Sequence, residues 1–142
     1  MMAWLRSILS LVAGFVIWMA AFWIVMILMA LVWPALREAA RVYMGEDGGS
    51  YAVFTTPMLI SFQFVWPVAN AAGGFLTRVI SNRQREVRWL AVLLTAYFAY
   101  NHWWALWNEL PVWYNVIVVL PVAPMVLIGG LIGGRVRKKR PA

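Results

Sequence analysis

The sequence contains no cysteine, one histidine and few charged residues. Charged residues make up 12% of the 142-residue chain, whereas about a quarter is usual for a soluble domain. Without cysteine the chain has neither a disulfide nor a thiolate for catalysis or metal binding. It also has no nucleophile elbow, phosphate-binding loop or catalytic carboxylate pair, so we expect a protein that is not an enzyme and holds no cofactor.

Apolar residues are abundant and make up 64% of the chain. They form four long runs, which cover residues 8–33, 54–77, 87–107 and 112–134. Each run reaches the roughly 20 residues that a helix needs to cross ~30 Å of hydrocarbon. The first run is longer than the ~7–15 apolar residues of a cleaved signal peptide, so we interpret it as a retained helix. The sequence predicts an all-α integral membrane protein, one domain over residues 1–142, with four transmembrane helices in two antiparallel hairpins.

The basic residues lie mostly on one side of this predicted topology. The N-terminus, the second loop and the tail carry ten of the twelve, and the first loop carries the other two, Arg37 and Arg41. By the positive-inside rule both termini then lie in the cytoplasm, and the membrane is the plasma membrane, the inner membrane of a bacterium. We expect anionic lipid headgroups, and no nucleic acid, to balance the formal charge of +7. The predicted headgroup contacts are Arg83, Arg85, Arg88, Arg137, Lys138, Lys139 and Arg140.

The segments outside the spans are short. In the first outer loop, residues 34–50, the side chains of Leu36, Ala39 and Tyr43 recur at helical spacing beside charged neighbours. This pattern predicts a short amphipathic helix on the outer surface. Residues 135–142 form a basic cytoplasmic tail. Tryptophan and tyrosine cluster towards the outer side, where half-buried rings anchor a protein at the level of the headgroups.

The second and fourth runs resemble each other. WPVANAAGGFLTR and LPVAPMVLIGGLIGGR both carry Pro-Val-Ala, then Gly-Gly, then arginine. The similarity indicates a parallel internal repeat of one helical hairpin; the alternative is chance, because proline and glycine are frequent in transmembrane helices. Small residues four apart on one face let two helices approach closely, within a chain or between copies. The predicted helix-packing residues are Gly73, Gly74, Gly129, Gly130, Gly133 and Gly134.

Polar residues inside the spans form an intramembrane stripe with a spacing of seven. Gln63 and Asn70 lie on the second span, and Thr95 and His102 lie on the third. An unpaired amide in hydrocarbon costs several kcal/mol, so we expect the two faces to pack against each other. One histidine does not make a metal site of several ligands, and we expect His102 to bond a neighbour such as Asn101 or Gln63.

These features favour a small non-enzymatic membrane protein, a subunit or an accessory or assembly factor that packs against other membrane proteins or itself. The alternative is an oligomeric small-molecule transporter or channel that uses the stripe of Gln63 and Asn70, although no charged residue lies deep in a span to support it. A third interpretation is a haem- or quinone-associated subunit that uses His102 and the outer tryptophans. A haem held by two histidines would need two copies of the chain.

Overall fold

The computed structural model describes residues 2–45 and 49–138, and the regular structure of these residues is entirely helical. The all-α prediction is therefore confirmed. The α-helices of the described residues are α1 (Met2–Val32), α2 (Pro34–Tyr43), α3 (Thr56–Ser81), α4 (Gln84–Tyr100), α5 (Val112–Val119) and α6 (Val122–Lys138). A 3-10 turn at Tyr51–Val53 precedes α3, and a π-helical segment at Asn101–Ala105 continues α4.

Three helical stretches of the described chain are long and apolar enough to cross a membrane: Trp4–Val32, Thr56–Ser81 and Val112–Arg137. They correspond to the first, second and fourth predicted spans. Their ends reach beyond the apolar runs, because a helix can continue through the headgroup layers of a bilayer that is ~40–45 Å thick in total. The last stretch is divided into α5 and α6 around Pro121, whose ring and missing N–H interrupt a helix.

The third predicted span, residues 87–107, differs from the structure. α4 starts earlier, at Gln84, has 17 residues and carries Glu86 in its first turn. Beyond Tyr100 the backbone becomes π-helical. Since 17 residues are fewer than the roughly 20 that cross the hydrocarbon as an α-helix, helix length alone establishes three candidate spans and leaves the fourth a proposal.

α3 lies between α1 and α6 and packs along both. Against α6 the contact is reciprocal: a Cβ added to Gly74 would overlap the carbonyl oxygen of Val126, and one added to Gly129 would overlap that of Ala71. Each glycine thus contacts the residue that stands three positions before the other glycine. The two contacts are related by a local two-fold axis between the helices. The predicted internal repeat stays a prediction, because its aligned Gly-Gly pairs relate Gly74 to Gly130 rather than to Gly129. Any side chain here would strike the partner backbone, so close approach requires glycine.

Other predicted packing glycines on α6 also lie at contacts within the chain. A Cβ on Gly133 would come 2.7 Å from the carbonyl oxygen of Phe75. The contacts along α3 and α6 therefore advance in the same direction, and the two helices are parallel. Gly130 lies against the Val87 side chain of α4, and Gly134 lies against the flexible end of an arginine side chain.

α1 crosses α3 at a glycine pair. A Cβ on Gly73 would come 2.9 Å from the carbonyl oxygen of Gly14. Beside this crossing, the Thr77 hydroxyl donates to the carbonyl oxygens of Gly73 and Ser10, at 2.9 and 3.2 Å. Gly14 is absent from the predicted set, although its spacing of four from Ser10 is the small-residue signal that would have found it.

Two arginine side chains donate hydrogen bonds to backbone carbonyl oxygens in the last turn of α3. Arg6 Nε donates to the carbonyl oxygen of Ile80 at 2.8 Å, and Arg137 Nη1 donates to that of Val79 at 2.6 Å. The last carbonyls of a helix have no partner within it, and positive charge is favourable there. We call this end of the bundle, which includes the α3–α4 turn, the arginine end, and the opposite end the α2 end.

The predicted headgroup contacts that belong to the described residues lie at the arginine end. The side chains of Arg83, Arg85 and Arg88 are exposed there. Lys138 is the last described residue, and Lys139 and Arg140 lie outside the described residues. Contact with lipid headgroups stays a prediction for all of them.

α2 lies at the other end of the bundle. It starts at Pro34, which suits a first helical turn. It buries Leu36 and Ala39 and exposes the opposite face. On that face Arg41 pairs with Glu38 at 2.6 Å, and the hydrogen bond from Arg41 lowers the pKa of Glu38.

Candidate functional site

A cavity of about 430 Å³ lies at the α2 end. Its wall is built by α1, α2, α3 and the segment from the end of α4 to the start of α5. Pockets for small molecules measure about 300–1,000 Å³, so the volume suits a ligand. The wall includes exposed side chains, among them Trp23 and Ile27 of α1 and Tyr97 of α4, so the cavity is open rather than sealed.

Packed aromatic rings form much of the wall. The rings of Phe22 and Trp66 stack with centroids 4.0 Å apart, and Trp18 stacks on Trp66 at 6.1 Å. Phe98 meets Trp66 edge-on at 4.9 Å. Trp18 and Phe22 are four residues apart on α1, so both reach the same neighbours from one helix face. Such pairs contribute about 0.5–1.5 kcal/mol each beyond area burial, and they give the cavity a firm apolar surface.

The cavity is electrically neutral. Among the described residues, no side chain of Asp, Glu, Lys or Arg lines it. Tyr51 is part of the wall and lies outside the apolar spans. Burial, with a hydrogen bond to Tyr43, raises the pKa of Tyr51, so its phenol keeps its proton. A charged ligand would therefore meet no counter-charge in this wall.

His102 is held in this wall by Asn115 of α5. The π-helical segment Asn101–Ala105 carries the histidine, and its Nδ1 lies 3.0 Å from Asn115 Oδ1. Single π turns within α-helices are rare and frequent at functional sites, because the wider turn redirects a side chain. The imidazole stacks on Phe98 at 6.0 Å and is 6% exposed.

The hydrogen bonds of Asn115 determine which ring nitrogen of His102 carries the proton in the neutral imidazole. The Asn115 amide nitrogen faces three backbone carbonyl oxygens, at 3.5 Å (Leu106), 3.4 Å (Trp107) and 3.2 Å (Leu110). Only a donor suits that position, so the amide oxygen points to the histidine. The imidazole then donates from Nδ1, and in its neutral form Nε2 is an acceptor.

Two further polar atoms belong to side chains of the cavity wall. Trp66 Nε1 donates to the hydroxyl of Tyr114 at 3.4 Å. Trp18 is 3% exposed, and its indole nitrogen has no hydrogen-bond partner in the described part of the chain. Buried polar groups are paired in most proteins, so this unpaired indole N–H is an exception. The nitrogen itself is buried, and only other atoms of the Trp18 ring face the cavity.

No hydrogen bond joins the four predicted stripe residues to one another in the described structure. His102 bonds Asn115 rather than Asn101 or Gln63, and α3 packs mainly on α1 and α6 rather than on α4. Asn70 is fully buried, and neither atom of its amide has a partner among the described residues. The same holds for the amide nitrogen of Gln63 and the hydroxyl of Thr95. The contact predicted between the two polar faces stays a prediction.

Sequence reasoning missed a buried carboxylate at the arginine end. Glu86 is 3% exposed, and one of its oxygens accepts from the Ser7 hydroxyl at 2.8 Å. The first turn of α4 favours negative charge through the helix dipole. The signal was available: Glu86 stands four residues before Leu90, which is followed at the same spacing by Leu94 and Phe98, all buried.

Comparison of the chain with protein-family models, with curated proteins and with solved structures gives no match.

Proposed function

We propose that the chain is a non-enzymatic integral membrane protein that crosses the plasma membrane four times and binds a hydrophobic small molecule in the cavity at the α2 end. The observation that carries this proposal is the cavity itself, which is large enough for a ligand, aromatic and uncharged. Binding of a lipid-like ligand is the function that such a wall supports best.

Four crossings are supported by the path of α4. The π-helical segment extends the helical stretch from Gln84 to Ala105, which is long enough to cross ~30 Å of hydrocarbon. Arginines lie at its start and the α5 segment follows its end. A crossing by α4 places the arginine end, with both termini, in the cytoplasm and the α2 end outside.

The orientation places the cavity in the outer half of the membrane. Trp23 and Ile27 of its wall lie on α1, which is apolar over Trp4–Val32. They are 51% and 57% exposed, so the opening faces the lipid if α1 spans the bilayer. A hydrophobic ligand would reach the cavity from the outer leaflet without passing through water.

Ligand binding has more support than assembly through the glycines. The predicted packing glycines contact α1, α3, α4 and side chains of the same chain, so their close-packing surfaces are occupied within one bundle. A homo-oligomer or a complex with another membrane protein stays a prediction that would use other surfaces. The predicted transport path has no support from a shared polar track, while the quinone interpretation falls within the proposed class of ligand.

Photolabelling tests the proposal. We expect an octadecyl methyl ether that carries a diazirine to label cavity residues of the protein in nanodiscs, and excess unlabelled ether to compete. Ala40→Phe would fill part of the cavity and reduce labelling, because Ala40 belongs to its wall. Ala35→Phe is the matched control on the exposed face of α2. Labelling that never saturates, or that Ala40→Phe leaves unchanged, contradicts the proposal.

A further inference from the structure

We infer that the ligand of this cavity carries a hydroxyl group, so that the protein selects neutral hydroxylated amphiphiles (long-chain alcohols, phenols or quinols) over their ketone, ester or ether counterparts. The inference rests on the proposed function and adds the chemical class of the ligand. It depends on which polar atoms the wall presents and on which of them lack a partner.

His102 supplies the requirement for a donor. Its Nδ1 is committed to Asn115 Oδ1, and Asn115 cannot turn its amide without aiming the oxygen at three carbonyls. Nε2 of the neutral ring is therefore an acceptor, and it has no hydrogen-bond partner among the described residues. A hydroxyl can donate to it, whereas a carbonyl or ether oxygen cannot.

Trp18 adds an aromatic surface near His102. Its ring and the imidazole both contact the Phe98 ring, with centroids 5.7 and 6.0 Å from that of Phe98. The Trp18 indole nitrogen has no partner in the described chain but is itself buried, so it does not face a ligand in the cavity. The requirement for a hydroxyl group therefore rests on His102 Nε2.

The surroundings exclude charged alternatives. No acidic or basic side chain among the described residues lines the cavity, and Asn101, at its edge, bonds the carbonyl oxygen of Tyr97 at 2.8 Å. A carboxylate or an ammonium group would leave water for a wall that holds no counter-charge among the described residues. Loss of hydration without a compensating charge is costly, so a neutral headgroup is favoured.

Competition between two matched probes tests the inference. Octadecanol and its methyl ether have the same chain and differ in the hydroxyl proton. Against the diazirine-bearing ether in nanodiscs, we expect octadecanol to compete about tenfold better than the ether, the ratio that one hydrogen bond of about 1.4 kcal/mol gives.

The variant His102→Asn should abolish this ratio, because its amide nitrogen can still donate to Asn115 while its shorter side chain does not bring the amide oxygen to the position of Nε2. Trp104→Phe, a change at a tryptophan that is 80% exposed and outside the cavity, should leave the ratio unchanged. Continued labelling of His102→Asn by the diazirine ether shows that the variant is folded.

The outcomes separate the two claims. Equal competition by the alcohol and the ether in the unmodified protein overturns the hydroxyl requirement while the cavity remains a binding site. A preference that survives in His102→Asn overturns the assignment of Nε2. The absence of saturable labelling by any probe overturns the proposed function itself.

Discussion

Asn115 is the residue on which the site depends most. Its carboxamide joins the π-helical segment to α5, with the oxygen on His102 and the nitrogen on backbone carbonyls of the connecting turn. It is fully buried. If the amide is removed, the histidine and the backbone carbonyls lose their partner together. One side chain therefore supports the turn and determines which ring nitrogen of the neutral histidine carries the proton.

Asn115→Ala should lower the free energy of unfolding by about 1–3 kcal/mol, because it leaves a buried imidazole N–H unpaired. The measurement is the unfolding midpoint in a mild detergent. Asn101→Ala, which loses a bond to one carbonyl at a more exposed position, is the control and should change stability by less than about 1 kcal/mol. Equal midpoints for the two variants would contradict the role of Asn115.

The glycines of the α3–α6 crossing give a second residue-scale prediction. Gly74→Ala should destabilise the protein by about 1–3 kcal/mol, because the new Cβ would overlap the backbone of Val126. Gly134→Ala should be tolerated, since its Cβ would meet only the flexible end of the Arg78 side chain. Thermal unfolding of the two variants in the same detergent compares them directly, and an equal loss in both would refute the crossing.

At the scale of elements, α2 determines whether the cavity has a lid. Leu36 is fully buried and Ala40 belongs to the cavity wall, so the apolar face of α2 covers the cavity. The packing of this short helix depends on a small number of apolar side chains, and the loss of one of them is expected to release it.

Leu36→Ala should lower the free energy of unfolding by about 2–5 kcal/mol if the surrounding residues do not fill the space that the leucine side chain leaves. We expect α2 to exchange its amide hydrogens faster in deuterium-exchange mass spectrometry while α3 keeps its protection. Arg37→Ala, at an exposed neighbour, should leave the exchange of α2 unchanged. Unchanged exchange in Leu36→Ala would show that α2 is held by other contacts.

The sequence predicts the helices well and their contacts partly. Apolar runs of about 20 residues predict three spans because hydrocarbon thickness sets their length. The glycine spacing identifies residues of close approach, but not their neighbours, because spacing on one helix carries no information about which helix faces it. The partner of His102 was missed because Asn115 lies in a run interpreted as apolar and because a π turn changes the helical phase on which the prediction relied.

At the scale of the whole molecule, the proposed function needs the two ends of the bundle to lie on opposite sides of one membrane. Basic residues collect at the arginine end, and the cavity opens near the α2 end. If α4 crosses, the cavity lies in the outer leaflet and receives its ligand from lipid. If α4 does not cross, the residues before and after α4 lie on the same side of the membrane, and the cavity is no longer placed in the outer leaflet by this topology.

Cysteine labelling across α4 tests this central claim most directly, because the chain has no native cysteine. Arg83→Cys and Glu109→Cys place single thiols at exposed positions before and after α4. We predict that a membrane-impermeant maleimide labels Glu109→Cys in intact spheroplasts and labels Arg83→Cys only after the membrane is permeabilised. Labelling of both thiols from the same side would contradict the four crossings, and the reverse pattern would contradict the orientation of the cavity.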